Sequence, residues 1–241
     1  MIDIHDLNKT YSGHIHALKN VNLHLSGGII GLVGQNGAGK TTLMRIIATL
    51  LNPTQGDVRV GGYSVQVASG RAKIRDMIGY LPQANGFYAE LTVEQNLDYF
   101  ALLKKIDDSL NRATQINAVL DAVRLESVRK RPVRTLSGGM KRRLGIAITL
   151  LNQPKILILD EPTVGLDPEE RQRFRQLLSE LGQGRLILLS SHILEDIQQI
   201  ANKMVIIHQG AVVFDGDLPT LTQKMQTTSI EEAYLQLLAV S

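Results

Sequence analysis

Gly28-Ile29-Ile30-Gly31-Leu32-Val33 followed by Gly34-Gln35-Asn36-Gly37-Ala38-Gly39-Lys40-Thr41-Thr42 decides the fold. The first six residues are apolar and β-branched enough to read as a strand. The next eight match G-x-x-x-x-G-K-[ST], and a helical pattern runs from Gly39 to Leu51. That context, strand then glycine-rich turn then helix, is the one in which such a loop cradles phosphate. The residue types follow from the task. Small residues at Gly34, Gly37, Ala38 and Gly39 let the backbone N–H groups of the loop, Gln35 and Asn36 included, close around an anion. The helix N-terminus adds positive potential. Lys40 reaches the β- and γ-phosphates of a nucleotide, the Thr41 hydroxyl can ligate Mg²⁺, and Thr42 is placed at the α-phosphate.

Working outward, further short apolar runs read as strands at Met77–Leu81, Ile156–Asp160 and Leu186–Ser190. The last two are apolar at successive positions, as expected of parallel strands covered on both faces. Helical patterns at Glu169–Leu181 and Leu194–Asn202 flank the Leu186 run, and Val205–His208 with Val212–Asp215 read as a hairpin around Gln209-Gly210. Alternating strands and helices predict an α/β fold with a parallel sheet. The middle of the chain differs. From about Ala84 to Leu151 the pattern is almost wholly helical, with a capping box of Thr92 and Gln95 and further helices over Asn111–Val123 and Met140–Leu151. It reads as a helical subdomain, residues 85–151, inserted into an α/β core formed by residues 1–84 and 152–241.

Two more segments carry chemistry. Ile156-Leu157-Ile158-Leu159-Asp160-Glu161 is a buried strand that releases two carboxylates at its C-terminal end. Asp160 then lies beside the phosphate loop, where it can hold Mg²⁺ through water, and Glu161 is aimed at the γ-phosphate as a general base on water. Leu136-Ser137-Gly138-Gly139-Met140 opens a helix and forms a second anion cradle. Ser137 also reads as a plain helix N-cap. Lys141, Arg142 and Arg143 follow in a first turn where cations oppose the helix dipole, a conflict that an anion in front of the helix would relieve. Four single residues stay open between a functional and a structural role. Gln83 ends a strand after Pro82, Asp167 can cap a helix beginning at Pro168, His192 follows Ser190-Ser191, and Tyr11 can stack on a base or pack.

Composition narrows the classes. The 241 residues are 44% hydrophobic and 20% charged, which excludes disorder. A net charge of +3 gives no nucleic-acid signal; the pI of 9.1 reflects how few groups titrate between histidine and lysine. Zero cysteines exclude disulfides, thiolate metal sites and a cysteine nucleophile. The start, residues 1–9, has no secretory pattern. The longest uncharged run, Asn20 to Gly39, is too rich in Gly, Asn, Gln and His to span a bilayer. The expectation is a cytosolic chain; if it works at a membrane, another chain supplies the spans.

These elements in this order resemble one family, the nucleotide-binding domains of ABC ATPases, over nearly the whole chain. The resemblance implies a P-loop NTPase core with N-terminal antiparallel strands and the inserted helical subdomain. It implies that Tyr11 stacks adenine and that Gly34 to Thr42 form the Walker A loop. Gln83 would contact Mg²⁺ and sense the partner. Leu136 to Met140 would be the signature presented to the ATP of the opposite subunit, with Met140 standing where glutamine is usual. Asp160 and Glu161 would be Walker B and catalytic base, Asp167 the D-loop residue and His192 the switch histidine at the γ-phosphate. The implied cofactors are ATP and Mg²⁺. The implied partners are a second identical chain and a separate transmembrane permease subunit, with no nucleic acid, on the inner face of the cell membrane. Met77–Gln83 leading into residues 86–93, Leu136–Arg143 and Ser229–Leu235 resemble ATPase subunits of bacterial exporters of drugs, antibiotics or polysaccharides. The absence of tandem domains, cysteines and strong charge argues against ABC ATPases acting on nucleic acid, the ribosome or iron–sulfur assembly. The signature argues against a P-loop kinase or GTPase.

Overall fold

The computed structural model describes residues 1–84 and 86–239. The boundary expected at residue 85 falls on Asn85, which lies outside the described residues, as do Val240 and Ser241. In chain order the elements are β1 (Ile2–Tyr11), β2 (Ile15–Leu25), β3 (Gly28–Val33), α1 (Lys40–Ile47), β4 (Gln55–Val60), β5 (Tyr63–Ser64), α2 (Ala68–Met77) and β6 (Ile78–Leu81). The helices α3 (Val93–Leu103), α4 (Ser109–Ala122) and α5 (Gly138–Leu150) follow, with two single turns of 3₁₀-helix between α4 and α5. The chain then alternates again: β7 (Ile156–Leu159), α6 (Pro168–Leu181), β8 (Leu186–Ser191), α7 (Leu194–Ile200), β9 (Lys203–His208), β10 (Ala211–Gly216), α8 (Leu218–Lys224) and α9 (Ile230–Ala239).

Among the described residues, six strands form the main sheet in the order β10-β9-β3-β8-β7-β6. All neighbours are parallel except the β9–β10 hairpin. Val33 pairs with Ser191, Leu159 with Leu189, and Leu81 with Leu159, so β3, β8, β7 and β6 end together along one edge. In an open parallel sheet that carboxyl edge is where ligands sit. The expected site residues follow these strand ends: the phosphate loop after β3, Gln83 after β6, Asp160 after β7 and His192 after β8.

The uninterrupted apolar runs are explained by cover on both faces. Alternate residues of each strand divide between two cores. Ile30, Leu32, Ile158 and Leu188 join α1 and the antiparallel sheet β2-β1-β4-β5. Ile29, Val33, Leu157, Leu159, Ile187 and Leu189 join the helices α3 to α6 and the C-terminal α8 and α9. Burial at this scale, about 25 cal/mol per Å² of apolar surface, is the main force holding the sheet between its layers. Gly79 on β6 lets α5 approach closely; a Cβ there would lie 2.7 Å from the Thr149 carbonyl oxygen. The capping box at α3 is present, with Gln95 N donating to Thr92 Oγ1 at 3.2 Å and Thr92 N to Gln95 Oε1 at 2.9 Å.

Most boundaries differ from the sequence reading by one to four residues, among them these. Helix α1 stops at Ile47 rather than Leu51, because Thr49 turns into the left-handed region at φ 61°. Met77 ends α2 and does not begin β6. Helix α7 stops at Ile200, and Ala201 is extended.

Candidate active site

The loop between β3 and α1 is forced into shape by its neighbours. Gly39 has φ 112°, and a Cβ there would meet the Ala17 carbonyl oxygen at 2.5 Å, so only glycine fits. A Cβ on Gly34 would sit 2.4 Å from the Ile207 carbonyl oxygen. The turn between β9 and β10 braces the loop, as Gly210 N donates to the Ala38 carbonyl at 3.0 Å. Lys40 is 4% exposed and its Nζ donates to the carbonyls of Gly34 at 2.7 Å and Gln35 at 3.1 Å. Burial pulls the Lys40 pKa below the ordinary lysine value, against the opposing pull of Glu161 and Asp160. The ammonium is thus held by the loop's own carbonyls at the place where phosphate charge would be received.

Asp160 is buried where β7 ends, and its N–H donates to the Leu81 carbonyl at 2.9 Å. Its Oδ1 accepts from Thr41 Oγ1 at 3.2 Å and from Ser190 Oγ at 2.8 Å. The same Ser190 hydroxyl accepts from Glu161 N at 2.8 Å. One serine on β8 therefore fixes both carboxylate residues. Glu161 has φ 47°, an uncommon conformation for a residue with a side chain. Its carboxylate stands 3.9 Å from Lys40 Nζ and 3.5 Å from His192 Nδ1. A hydroxyl and a carboxylate oxygen converging at Thr41 and Asp160 fit a small hard cation. Among the described residues no group of three or more histidines and carboxylates converges, so such an ion would draw its other ligands from water and phosphate.

These groups open on a cleft of about 320 Å³ lined by Ala17, Asn36, Gly37, Gly39, Lys40, Thr41, Thr42, Gln83 and Glu161. Gln83 is exposed on its wall. Tyr11 ends β1 at the rim, its hydroxyl 3.3 Å from Thr42 Oγ1, and the residue is 39% exposed. Lys40, Thr41, Thr42, Gln83, Asp160, Glu161, His192 and Tyr11 are thus gathered into one neighbourhood.

Ser137, Gly138, Gly139 and Asp167 are not. No residue from 136 to 140 lines that cleft. Ser137 is an exposed N-cap of α5, accepting from Met140 N at 3.1 Å. Asp167 is an exposed N-cap of α6, accepting from Glu170 N at 2.9 Å. Gly139 packs on Glu170; a Cβ would fall 2.1 Å from its Oε2. The cations after Ser137 also differ from expectation. Arg142 is 8% exposed, and its guanidinium donates to the carbonyls of Gln83 at 3.1 Å and Glu161 at 3.4 Å. Burial lowers its pKa against the pull of Asp160 and Glu161. Arg143 donates to the carbonyls of Val123 and Arg124. Both arginines are held within the chain, so backbone carbonyls answer their part of the dipole conflict at this helix start. Sequence reasoning also missed Ser190, whose hydroxyl joins the Asp160 carboxylate to the backbone N–H of Glu161; nothing in the local pattern signalled it.

Residues 18–164 match the family described as ABC transporter. ABC transporter A family member 1 of Dictyostelium discoideum is 37% identical over 211 residues, which cover 87% of this chain and 24% of that protein. The chain therefore spans about a quarter of that relative's length. The bacitracin transport ATP-binding protein BcrA of Bacillus licheniformis is 38% identical over 211 residues, covering 86% of this chain and 67% of that protein. A dimeric, post-hydrolysis structure of the ATP-binding cassette MJ0796 bound to ADP and Pi is similar with a TM-score of 0.81. It is 28% identical, and the match covers 90% of this chain and 99% of that one.

Proposed function

The chain belongs to the ABC transporter family, and we propose on that premise that it is an ATP-hydrolysing cassette, two copies of which close around two ATP molecules to drive a separate membrane-spanning exporter subunit. One observation carries this reading. Lys40, Thr41 and Glu161 line one cleft, with Asp160 bonded to Thr41, while Ser137 and Gly138 lie outside it, exposed where a second chain could reach them.

In this reading Lys40 holds the β- and γ-phosphates and Tyr11 stacks on the adenine. Thr41 and Asp160, joined by Gln83, would hold Mg²⁺, which when bound neutralises phosphate charge. Glu161 takes the proton of the attacking water as its oxygen bonds to the γ-phosphorus and the bond to the β-bridging oxygen breaks. His192 stabilises the γ-phosphate. The signature residues Ser137, Gly138 and Gly139, with Asp167, face the ATP of the other chain. Residues 85–151 move as a helical subdomain against the core of residues 1–84 and 152–241, and the Gln83 region passes that motion to the permease. Among the described residues no helix is long and apolar enough to cross a membrane, which fits a cassette docked on the inner face of the membrane through its partner. The name of BcrA, a bacitracin transport ATP-binding protein, supports a transporter of the antibiotic kind.

Phosphate release from Mg²⁺-ATP and Mg²⁺-GTP by the purified chain tests the reading. We expect turnover of ATP, its loss without Mg²⁺ and its loss in Glu161→Gln. Release that persists in Glu161→Gln would overturn the assignment of the base.

A further inference from the structure

Asp196, on α7, is 0% exposed and carries a carboxylate that the reaction outlined above does not use. A buried carboxylate is costly unless it is paired and hydrogen-bonded. Its Oδ2 accepts from Thr163 Oγ1 at 2.7 Å and its Oδ1 accepts from Arg175 Nη1 at 3.1 Å. Arg171 Nε lies 3.9 Å from the same Oδ1. These partners come from different segments. Thr163, 1% exposed, lies just beyond Glu161, and the two arginines lie on α6, the helix that Asp167 caps.

From these contacts we infer that Asp196 is a positioning residue, which through Thr163 holds Glu161 against His192. The backbone conformation of Glu161 is the reason such a hold is needed. Residues in sparsely populated conformations persist only where their surroundings over-determine them. Ser190 anchors Glu161 from the β8 side, by its bond to Glu161 N. Thr163 anchors the chain on the far side, by its bond to Asp196. Both anchors belong to the segment from Ser190 to Asp196, which also carries His192. The separation of 3.5 Å between Glu161 and His192 is thereby set within one rigid frame. The arginines of α6 tie the same carboxylate to the helix whose N-terminus presents Asp167, so the site and that exposed cap share one buried carboxylate.

This inference rests on the ATPase reading, and its test separates the two. Thr163→Val keeps the shape of the side chain, exchanges the hydroxyl for a methyl and leaves Asp196 paired with Arg175. We expect kcat for ATP to fall about tenfold, since a small misplacement of a reacting group costs that much or more. KM and the affinity for a fluorescent ATP should stay within about twofold, because the phosphate loop is untouched. Thr163→Ser should restore most of kcat. A wild-type kcat in Thr163→Val, a loss carried by KM, or a serine variant as slow as the valine variant would each overturn the positioning role. Wild-type turnover is measured alongside: its absence would overturn the ATPase reading and this inference together, whereas normal wild-type turnover with an unaffected Thr163→Val overturns this inference alone.

Discussion

The ammonium of Lys40 and the carboxylate of Glu161 stand 3.9 Å apart across the cleft, both shielded from solvent. The separation is longer than a hydrogen bond. Lys40 spends its donors on the carbonyls of Gly34 and Gln35, and Glu161 approaches His192 at 3.5 Å. The cation is held by its own loop and the carboxylate by the facing strand end, and both line the cleft that the phosphates and the water of the proposed reaction would enter.

Replacing Lys40 tests the cation. In Lys40→Ala the point charge on the β- and γ-phosphates is gone. Hydrogen bonds to charged groups contribute about 1.5–3 kcal/mol each, so nucleotide affinity should fall at least about tenfold. Fluorescent-ATP titration measures this, and an affinity equal to wild type would mean that the loop is not the site.

Ser190 offers a test of how the two carboxylates are held. Ser190→Ala removes a donor to Asp160 and leaves the N–H of Glu161 without its acceptor. An unsatisfied buried group costs about 1–3 kcal/mol, so the urea midpoint should drop and ATP turnover should slow. A variant with the wild-type midpoint and rate would show that the bridge holds nothing.

The parts legible in the sequence are those where local pattern and packing agree. β3, β7 and β8 read as strands because both faces of the sheet are covered and every residue of β7 is buried. The phosphate loop, Asp160 and Glu161 could be placed from the sequence because each follows a strand end, and parallel strands bring their ends together; Gln83 and His192 also follow strand ends, but the residues alone left their roles open. What the pattern hid was non-local. β1 and β2 pair over ten residues or so with several exposed positions and irregular register, so no clean alternation marks them. Arg142 looked like a cation waiting for an anion, yet its partners are the carbonyls of Gln83 and Glu161, remote in sequence. Ser190 gave no sign of its two bonds for the same reason.

A signature variant tests whether each site draws on two chains. Ser137→Arg places a bulky cation on an exposed helix cap and leaves the phosphate loop of its own chain intact, so ATP binding should stay near wild type while turnover is lost. Mixing Ser137→Arg with Lys40→Ala should recover part of the activity, because a mixed dimer contains one site with both an intact loop and an intact signature. Cross-linking establishes that the mixed dimer forms. A formed mixed dimer without activity would contradict a composite site in which one intact half is enough.

The most direct measurement is the size of Glu161→Gln in solution with and without Mg²⁺-ATP. The amide keeps the shape of the side chain and loses the base, so ATP should bind, remain uncleaved and hold two copies closed. Size-exclusion chromatography with light scattering should then report twice the 26.6 kDa of the chain with Mg²⁺-ATP and a single chain without it. A Glu161→Gln variant that stays monomeric with ATP and turns it over at the wild-type rate would contradict the account.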